Sequence, residues 1–135
     1  MPTRIEEFEG RWLLTKEITD RRGPEARFEG DARIEEGPTA WAYVETGTLT
    51  LGAGEGISAE RRYCWTASTA GIEVAFDDGR PFHVLPLTGG DALHDCPPDT
   101  YRVRYDFGGW PLHWTATWHV TGPRKDYDMV CRYQR

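Results

Sequence analysis

Residues 100–134 read TYRVRYDFGGWPLHWTATWHVTGPRKDYDMVCRYQ, and this stretch decides the fold. Aromatic and apolar residues alternate with polar ones on both sides of Gly108-Gly109, which is the pattern of half-buried β-strands. A two-residue loop at Gly108-Gly109 would make a β-hairpin whose cross-strand pairs all join the aromatic faces. The predicted pairs are Phe107 with Trp110, Tyr105 with Leu112, Val103 with Trp114 and Tyr101 with Ala116.

The next hairpin tests this assignment independently. An even-length loop around Gly122-Pro123 brings the face of Trp114 and Trp118 onto the face that carries Tyr127, Met129, Cys131 and Tyr133. A one-residue slip in either hairpin would turn one strand's aromatic residues to the opposite side of the sheet. The aromatic residues of all three strands share one face only in this register. The sequence therefore predicts an interior lined by these aromatic residues, with Arg102, Arg104, His113 and Thr115 outside.

The same alternation of apolar and polar residues continues through the rest of the chain. Turn residues break it about every ten residues, which is typical of a sandwich or barrel. Strands are predicted near residues 11–20, 25–36, 39–51, 58–67, 71–77, 80–87, 100–107, 111–121 and 125–134, after a short turn or 3₁₀ segment near 6–10. Short links favour an antiparallel meander, and a meander of this size avoids exposed edges by closing on itself. The prediction is all-β: one domain over 1–135, an up-and-down barrel of about nine or ten strands.

Composition excludes several classes of function. The formal net charge is −6, whereas nucleic-acid binding depends on a basic surface, so neither nucleic acid nor an anionic membrane is an expected partner. The N-terminus is acidic and lacks the apolar segment of a signal peptide. The three cysteines, Cys64, Cys96 and Cys131, are far apart and are interpreted first as reduced core thiols. One disulfide or a reactive cysteine are the alternatives, and a cytoplasmic location is expected.

The aromatic interior has two interpretations. Small barrels fill their interior with side chains, so it could be a solid core. Tyr and Trp also combine an apolar body with a polar tip, which suits a ligand cavity with a few fixed polar groups.

Arg61 is the first candidate for such a polar group. It shares a strand face with Tyr63 and Trp65, and an inward Arg needs a carboxylate partner or an anionic ligand. Glu45, on the face of Trp41 and Tyr43, is the expected internal partner, and a ligand clamp is the alternative. If the strand faces the other way, Arg62 is the inward residue.

Two further candidates depend on local geometry. A two-residue turn at Asp78-Gly79 would pair His83 with Val74 and point it inward, whereas a three-residue loop with a bulge at Gly79 would place Phe82 there and turn His83 outward. Lys125 has inward parity at the end of its strand, where it would sit at the rim of the barrel with its stem on aromatic rings.

No metal or cofactor site is predicted. His94 and Cys96 lack a zinc-ligand spacing, and His113 and His119 are about 20 Å apart at strand rise. No nucleophile, phosphate-binding or dinucleotide-binding motif occurs.

Two resemblances to known families add to these predictions. Gly10-Arg11-Trp12 resembles the Gly-x-Trp signature of lipocalins and other calycins, in which the Trp closes one barrel end under a basic residue, here Arg132 or Arg135. Four longer segments together are similar to an uncharacterised bacterial family of domains of unknown function. These segments are residues 62–65, 78–83, 94–101 and 122–127. The second resemblance implies a stand-alone bacterial domain and no chemistry.

The leading functional prediction is a lipocalin-like barrel that binds a small, partly apolar ligand. The predicted binding residues are Arg61, Tyr63, Trp65, His83, Tyr105, Trp118, Lys125 and Tyr127. One alternative is a barrel enzyme with His83 or His94 as general acid or base near Tyr101 or Asp99. The other is a filled structural or interaction domain that forms a homodimer through a sheet face.

Overall fold

The computed structural model describes residues 1–135, and ten antiparallel strands form one sheet that curls into a nearly closed barrel. A short 3₁₀ helix, Ile5–Phe8, precedes the strands. The strands are β1 Gly10–Asp20, β2 Ala26–Glu36, β3 Trp41–Leu51, β4 Ile57–Ser68, β5 Gly71–Phe76, β6 Pro81–Leu85, β7 Gly90–Cys96, β8 Asp99–Asp106, β9 His113–Thr121 and β10 Asp126–Gln134. The prediction of an antiparallel up-and-down barrel is confirmed.

The order of strands explains how the barrel closes. Every strand pairs with its neighbours in sequence, and β1 pairs with β10, so the order is β6-β5-β4-β3-β2-β1-β10-β9-β8-β7. The two ends of the sheet are β6 and β7, which are consecutive in the chain and face each other without ladder pairing. We call this line the β6/β7 seam; side chains, not backbone hydrogen bonds, close it.

Strand β7 was not predicted from the sequence, and its pattern shows why. Its outward Leu93 is 58% exposed, whereas the inward positions carry the small Ala92 and the polar His94, opposite Val103 and Tyr101. The alternation is present, but its hydropathy does not mark an inner face.

The β8–β9 hairpin has the predicted parity with a different register. Tyr105 pairs with Ala116 rather than Leu112, because residues 107–112 form a longer loop than the Gly108-Gly109 turn. This loop carries Trp110 onto Phe8, at 4.7 Å between ring centroids. The register error is four residues, and because four is even, the inward and outward sets stay the same. The β9–β10 pairing of Trp114 with Tyr133 and Trp118 with Met129 has the predicted parity.

One end of the barrel is filled by aromatic side chains. Phe8 and Trp12 are fully buried, and Phe8 meets the rings of Trp65 and Trp114 edge-on at 5.4 and 5.5 Å. The Nε1 of Trp12 donates to the Phe8 carbonyl at 2.9 Å. This end, which we call the aromatic plug, is the solid part of the interior.

A basic residue covers the plug, as the calycin resemblance implies, and that residue is Arg135. Its guanidinium lies 4.0 Å from the centroid of Trp12 and donates to the carbonyls of Glu7 and Glu9. Arg132 instead faces solvent and forms an ion pair with Glu17 at 3.4 Å.

Candidate functional site

The half of the barrel opposite the aromatic plug is hollow. A cavity of about 660 Å³ extends from the level of Trp65 and Trp114 to the strand ends near Asp20, Leu51 and Tyr127. Of its 29 lining residues, 21 are hydrophobic. Its volume and mostly apolar lining fall within the range of small-molecule sites, and the interior is a solid core at one end only.

The predicted aromatic residues form the cavity wall. Tyr63, Trp65, Tyr105, Trp118 and Tyr127 all line it, each placed there by the two-residue period of its strand. Phe82 stacks on Trp118 with ring centroids 5.6 Å apart. These flat, rigid faces favour a ligand with planar or conjugated parts.

Arg61, not Arg62, points into the cavity. Its Nη1 lies 3.4 Å from the Tyr63 hydroxyl, and no carboxylate forms an ion pair with it. Arg62 faces outward and pairs with Glu60 at 2.9 Å. Because Arg61 lines the cavity and is still exposed, its guanidinium lies where the cavity meets solvent.

The predicted internal pair between Arg61 and Glu45 is wrong. The two residues are cross-strand neighbours, but the Glu45 carboxylate binds Lys16 instead, with Nζ to Oε1 at 2.5 Å. Lys16 comes from β1 and reaches across β2, and both side chains are more than nine-tenths buried. In the low-dielectric interior, two buried opposite charges attract strongly enough to hold each other, which leaves Arg61 free.

Tyr43 and Tyr133 complete this polar cluster. The Tyr43 hydroxyl donates to Glu45 Oε2 at 2.5 Å and lies 2.6 Å from the Tyr133 hydroxyl. Burial, and then the Glu45 charge, raise the pKa of Tyr43 well above its usual value, and burial does the same for Tyr133. Both phenols therefore keep their protons. Sequence reasoning missed Lys16, although its spacing of four from Trp12 gives it inward parity.

His83 faces inward by a route that neither turn model anticipated. The turn is the three-residue kind, with Gly79 at a positive φ of 91° and Phe76 N–H bonded to the Arg80 carbonyl at 2.8 Å. That turn places Phe82 inward, as the three-residue alternative predicts, but the outward His83 of that alternative is wrong. A bulge then adds one residue to β6, so that His83 pairs with Val74 and lines the cavity as well.

The His83 imidazole is neutral at physiological pH. Its Nε2 lies 2.7 Å from the Tyr105 hydroxyl, and its buried Nδ1 has no protein partner. Burial, and then the nearby His94, lower the pKa of His83 from 6.5 to about 4. Burial raises the pKa of Tyr105 well above its usual value, so this phenol donates to His83.

The His83 pKa predicts a pH-dependent stability. Between pH 6.5 and 4 the unfolded chain binds a proton at this residue and the folded chain does not, so stability falls as pH falls through this window. We expect this residue alone to make the free energy of unfolding about 1–2 kcal/mol lower at pH 5 than at pH 7.5. In urea unfolding, His83→Gln should lose less stability than the parent between pH 7.5 and pH 5.

An exposed histidine supplies the control for this measurement. His113→Gln should retain the full pH dependence, because His113 lies outside the barrel. Equal losses in the parent and in His83→Gln would contradict the assignment.

Lys125 and His94 lie outside the cavity lining. Lys125 Nζ donates to the Tyr101 hydroxyl at 3.1 Å and lies 3.0 Å from Asp99 Oδ2, and these contacts raise its pKa. It is a paired rim residue. His94 sits at the β6/β7 seam with its ring 5.0 Å from that of Phe82 and with Nε2 buried and unpartnered.

The remaining candidate groups do not converge. No group of three or more His, Cys, Asp or Glu side chains could hold a metal ion. The three cysteines are free: Cys131 is buried in the cavity wall, Cys64 is half-buried, and Cys96 is exposed. The expectation of core thiols is therefore wrong for Cys96. Burial raises the pKa of Cys131 to about 12, so this thiol is not a ready nucleophile.

The fold and the site define an antiparallel barrel with a blind, aromatic-lined cavity. The chain belongs to the family of unknown function DUF6314, whose model matches residues 8–135. Among curated proteins, none matches its sequence. Five solved chains match in structure. One is an S-type phycobiliprotein lyase, CPES, from Guillardia theta, with a TM-score of 0.71 and 8% identity over 96% of this chain and 89% of that one. At this identity the likeness shows the fold alone.

The structure contains no helix with the length and apolarity needed to cross a membrane.

Proposed function

We propose that this protein binds a small, largely apolar and partly planar ligand that carries an acidic group, and that Arg61 binds the acid. The observation that carries the proposal is an Arg without a carboxylate partner on the wall of a cavity of about 660 Å³. A guanidinium in a partly apolar site is stabilised by a bidentate anion such as a carboxylate.

The other charged groups of the cavity leave this role to Arg61. Lys16 and Glu45 neutralise each other. Glu60 pairs with Arg62 on the outside, and Asp20 accepts the backbone N–H of Arg22 at 2.9 Å near the open end. Arg61 is thus the lining cation whose charge no side-chain carboxylate neutralises through an ion pair.

Fluorene-2-carboxylate is a suitable probe, because it combines a flat hydrocarbon with one carboxylate. Calorimetric titration should show saturable binding to the parent. Arg61→Gln should weaken it by about tenfold or more, because hydrogen bonds to charged groups contribute about 1.5–3 kcal/mol. The uncharged analogue fluorene-2-methanol should bind both proteins alike.

Arg132→Gln is the control, since it removes the same charge from a side chain that faces solvent and does not line the cavity. It should change the affinity for fluorene-2-carboxylate less than twofold. The absence of saturable binding at millimolar probe, or equal effects of the two substitutions, would overturn the proposal. Native mass spectrometry of freshly purified protein would show a ligand retained from the cell.

The structural neighbour supports the proposal only through its shape. A phycobiliprotein lyase uses a barrel of the same fold, and the class of ligand proposed for this chain follows from its own cavity. Catalysis by His83 or His94 and homodimerisation stay predictions, which a turnover screen and light scattering would test.

A further inference from the structure

The buried polar cluster of Lys16, Tyr43, Glu45 and Tyr133 has unused hydrogen-bond donors on Lys16. Lys16 is an ammonium with three N–H donors, and one of them goes to Glu45. The structure gives Lys16 no other hydrogen-bond acceptor, although its side chain is only 8% exposed and lines the cavity. It also makes a cation–π contact with the Phe28 ring, with Nζ 5.2 Å from the ring centroid. Two donors of a buried cation are therefore left for whatever fills the cavity.

The hydroxyl protons of Tyr43 and Tyr133 are both used in hydrogen bonds within the cluster. Tyr43 donates its single proton to Glu45, so it must accept the proton of Tyr133 in their 2.6 Å contact. Glu45 receives Lys16 on one oxygen and Tyr43 on the other. In this cluster only Lys16 retains N–H donors that no protein group accepts. The cluster can therefore donate hydrogen bonds to a ligand through Lys16.

The charge of the cluster limits what those donors can bind. Lys16 and Glu45 together are neutral, so a carboxylate bound there would add an uncompensated negative charge in a mostly apolar site, at a high desolvation cost. A carbonyl, amide or ether oxygen accepts the same hydrogen bonds without adding charge. An oxygen of this kind would accept the donors that Lys16 does not give to Glu45.

From these observations we infer that Lys16 is a second ligand-binding residue, which holds a neutral acceptor oxygen in the body of an acidic ligand. This inference rests on the proposed function and narrows its ligand class to aromatic or conjugated acids with an internal carbonyl-type oxygen. Arg61 then binds the acid at the solvent side, and Lys16 fixes the orientation of the buried part.

A matched pair of probes tests the inference. Fluorene-2-carboxylate and 9-oxofluorene-2-carboxylate have nearly the same shape and differ by one ketone. Calorimetry should show the ketone binding the parent about tenfold more tightly. Lys16→Met should abolish this preference, whereas Lys125→Met, which removes the only other lysine of the chain from a rim position outside the cavity lining, should keep it.

A spectroscopic measurement keeps the test decisive if Lys16→Met does not fold. With a ¹³C-labelled ketone, the infrared carbonyl stretch of the probe bound to the parent should move to lower frequency than in an apolar solvent, as for a ketone bonded to an ammonium. Equal affinities for the two probes with an unshifted carbonyl would overturn the inference and leave the proposed function standing. If neither probe bound, the proposed function would fail together with it.

Discussion

Replacing Lys16 with methionine should lower the free energy of unfolding by about 3–5 kcal/mol, as expected when one partner of a buried ion pair is removed. The remaining Glu45 carboxylate would be buried with only the Tyr43 hydroxyl to stabilise it. The double variant Lys16→Met/Glu45→Gln should recover most of this loss, because the amide oxygen still accepts the Tyr43 proton and no charge is left. Urea unfolding at pH 7.5, followed by far-ultraviolet circular dichroism, measures both variants.

A surface ion pair on the same strand gives the comparison. Arg11 binds Asp31 at 2.7 Å with its side chain 55% exposed, and exposed pairs contribute less than about 1 kcal/mol. Arg11→Gln should therefore change stability by less than that amount. If Lys16→Met were no more harmful than Arg11→Gln, the pair would be solvated and not buried.

Replacing Trp12 with alanine should destabilise the protein by about 3–5 kcal/mol, the range for large aromatic residues in cores. Trp12 is fully buried, bonds to the Phe8 carbonyl and supports Arg135, so its removal leaves a void in the aromatic plug. Since small domains are stable by only about 5–15 kcal/mol, the melting temperature should fall markedly in calorimetry.

The neighbouring residue provides the control, because Leu13 points to the other face and is 50% exposed. Leu13→Ala should change stability by about 0.5 kcal/mol or less. Trp12 does not line the cavity, so Trp12→Ala should retain affinity for fluorene-2-carboxylate at temperatures where it is folded. Loss of binding in the folded variant would show that plug and cavity are one unit.

Parity could be predicted from the sequence more securely than register. Alternation places Tyr105 and Trp114 in the interior even with the wrong length for the loop between them, because an error of four residues preserves the two-residue period. The β6 bulge could not be predicted from local sequence, since it turns both Phe82 and His83 inward, where they contact Trp118 and Tyr105 from distant strands. Local sequence therefore determines which face a residue takes, and tertiary packing determines which residue it meets.

The candidate site shows the same division. Arg61, Tyr63 and Trp65 could be placed on one strand face from alternation alone, and the structure shows that this face points inward. The partner of Glu45 could not, because Lys16 is separated from it by the whole of β2 and reaches it only through the curvature of the closed barrel. A lysine in an alternating strand is ordinarily interpreted as a surface residue, and only the barrel geometry shows that this position is buried.

The β6/β7 seam affects the size of molecule for which the cavity has room. Nine rows of backbone hydrogen bonds join the ten strands, and the tenth junction relies on side chains such as Phe82 and His94. The circumference can therefore expand at this junction without breaking a single ladder bond. A fully hydrogen-bonded ring could widen only by breaking ladder bonds, whereas widening this barrel at the β6/β7 seam would need only side chains to move apart.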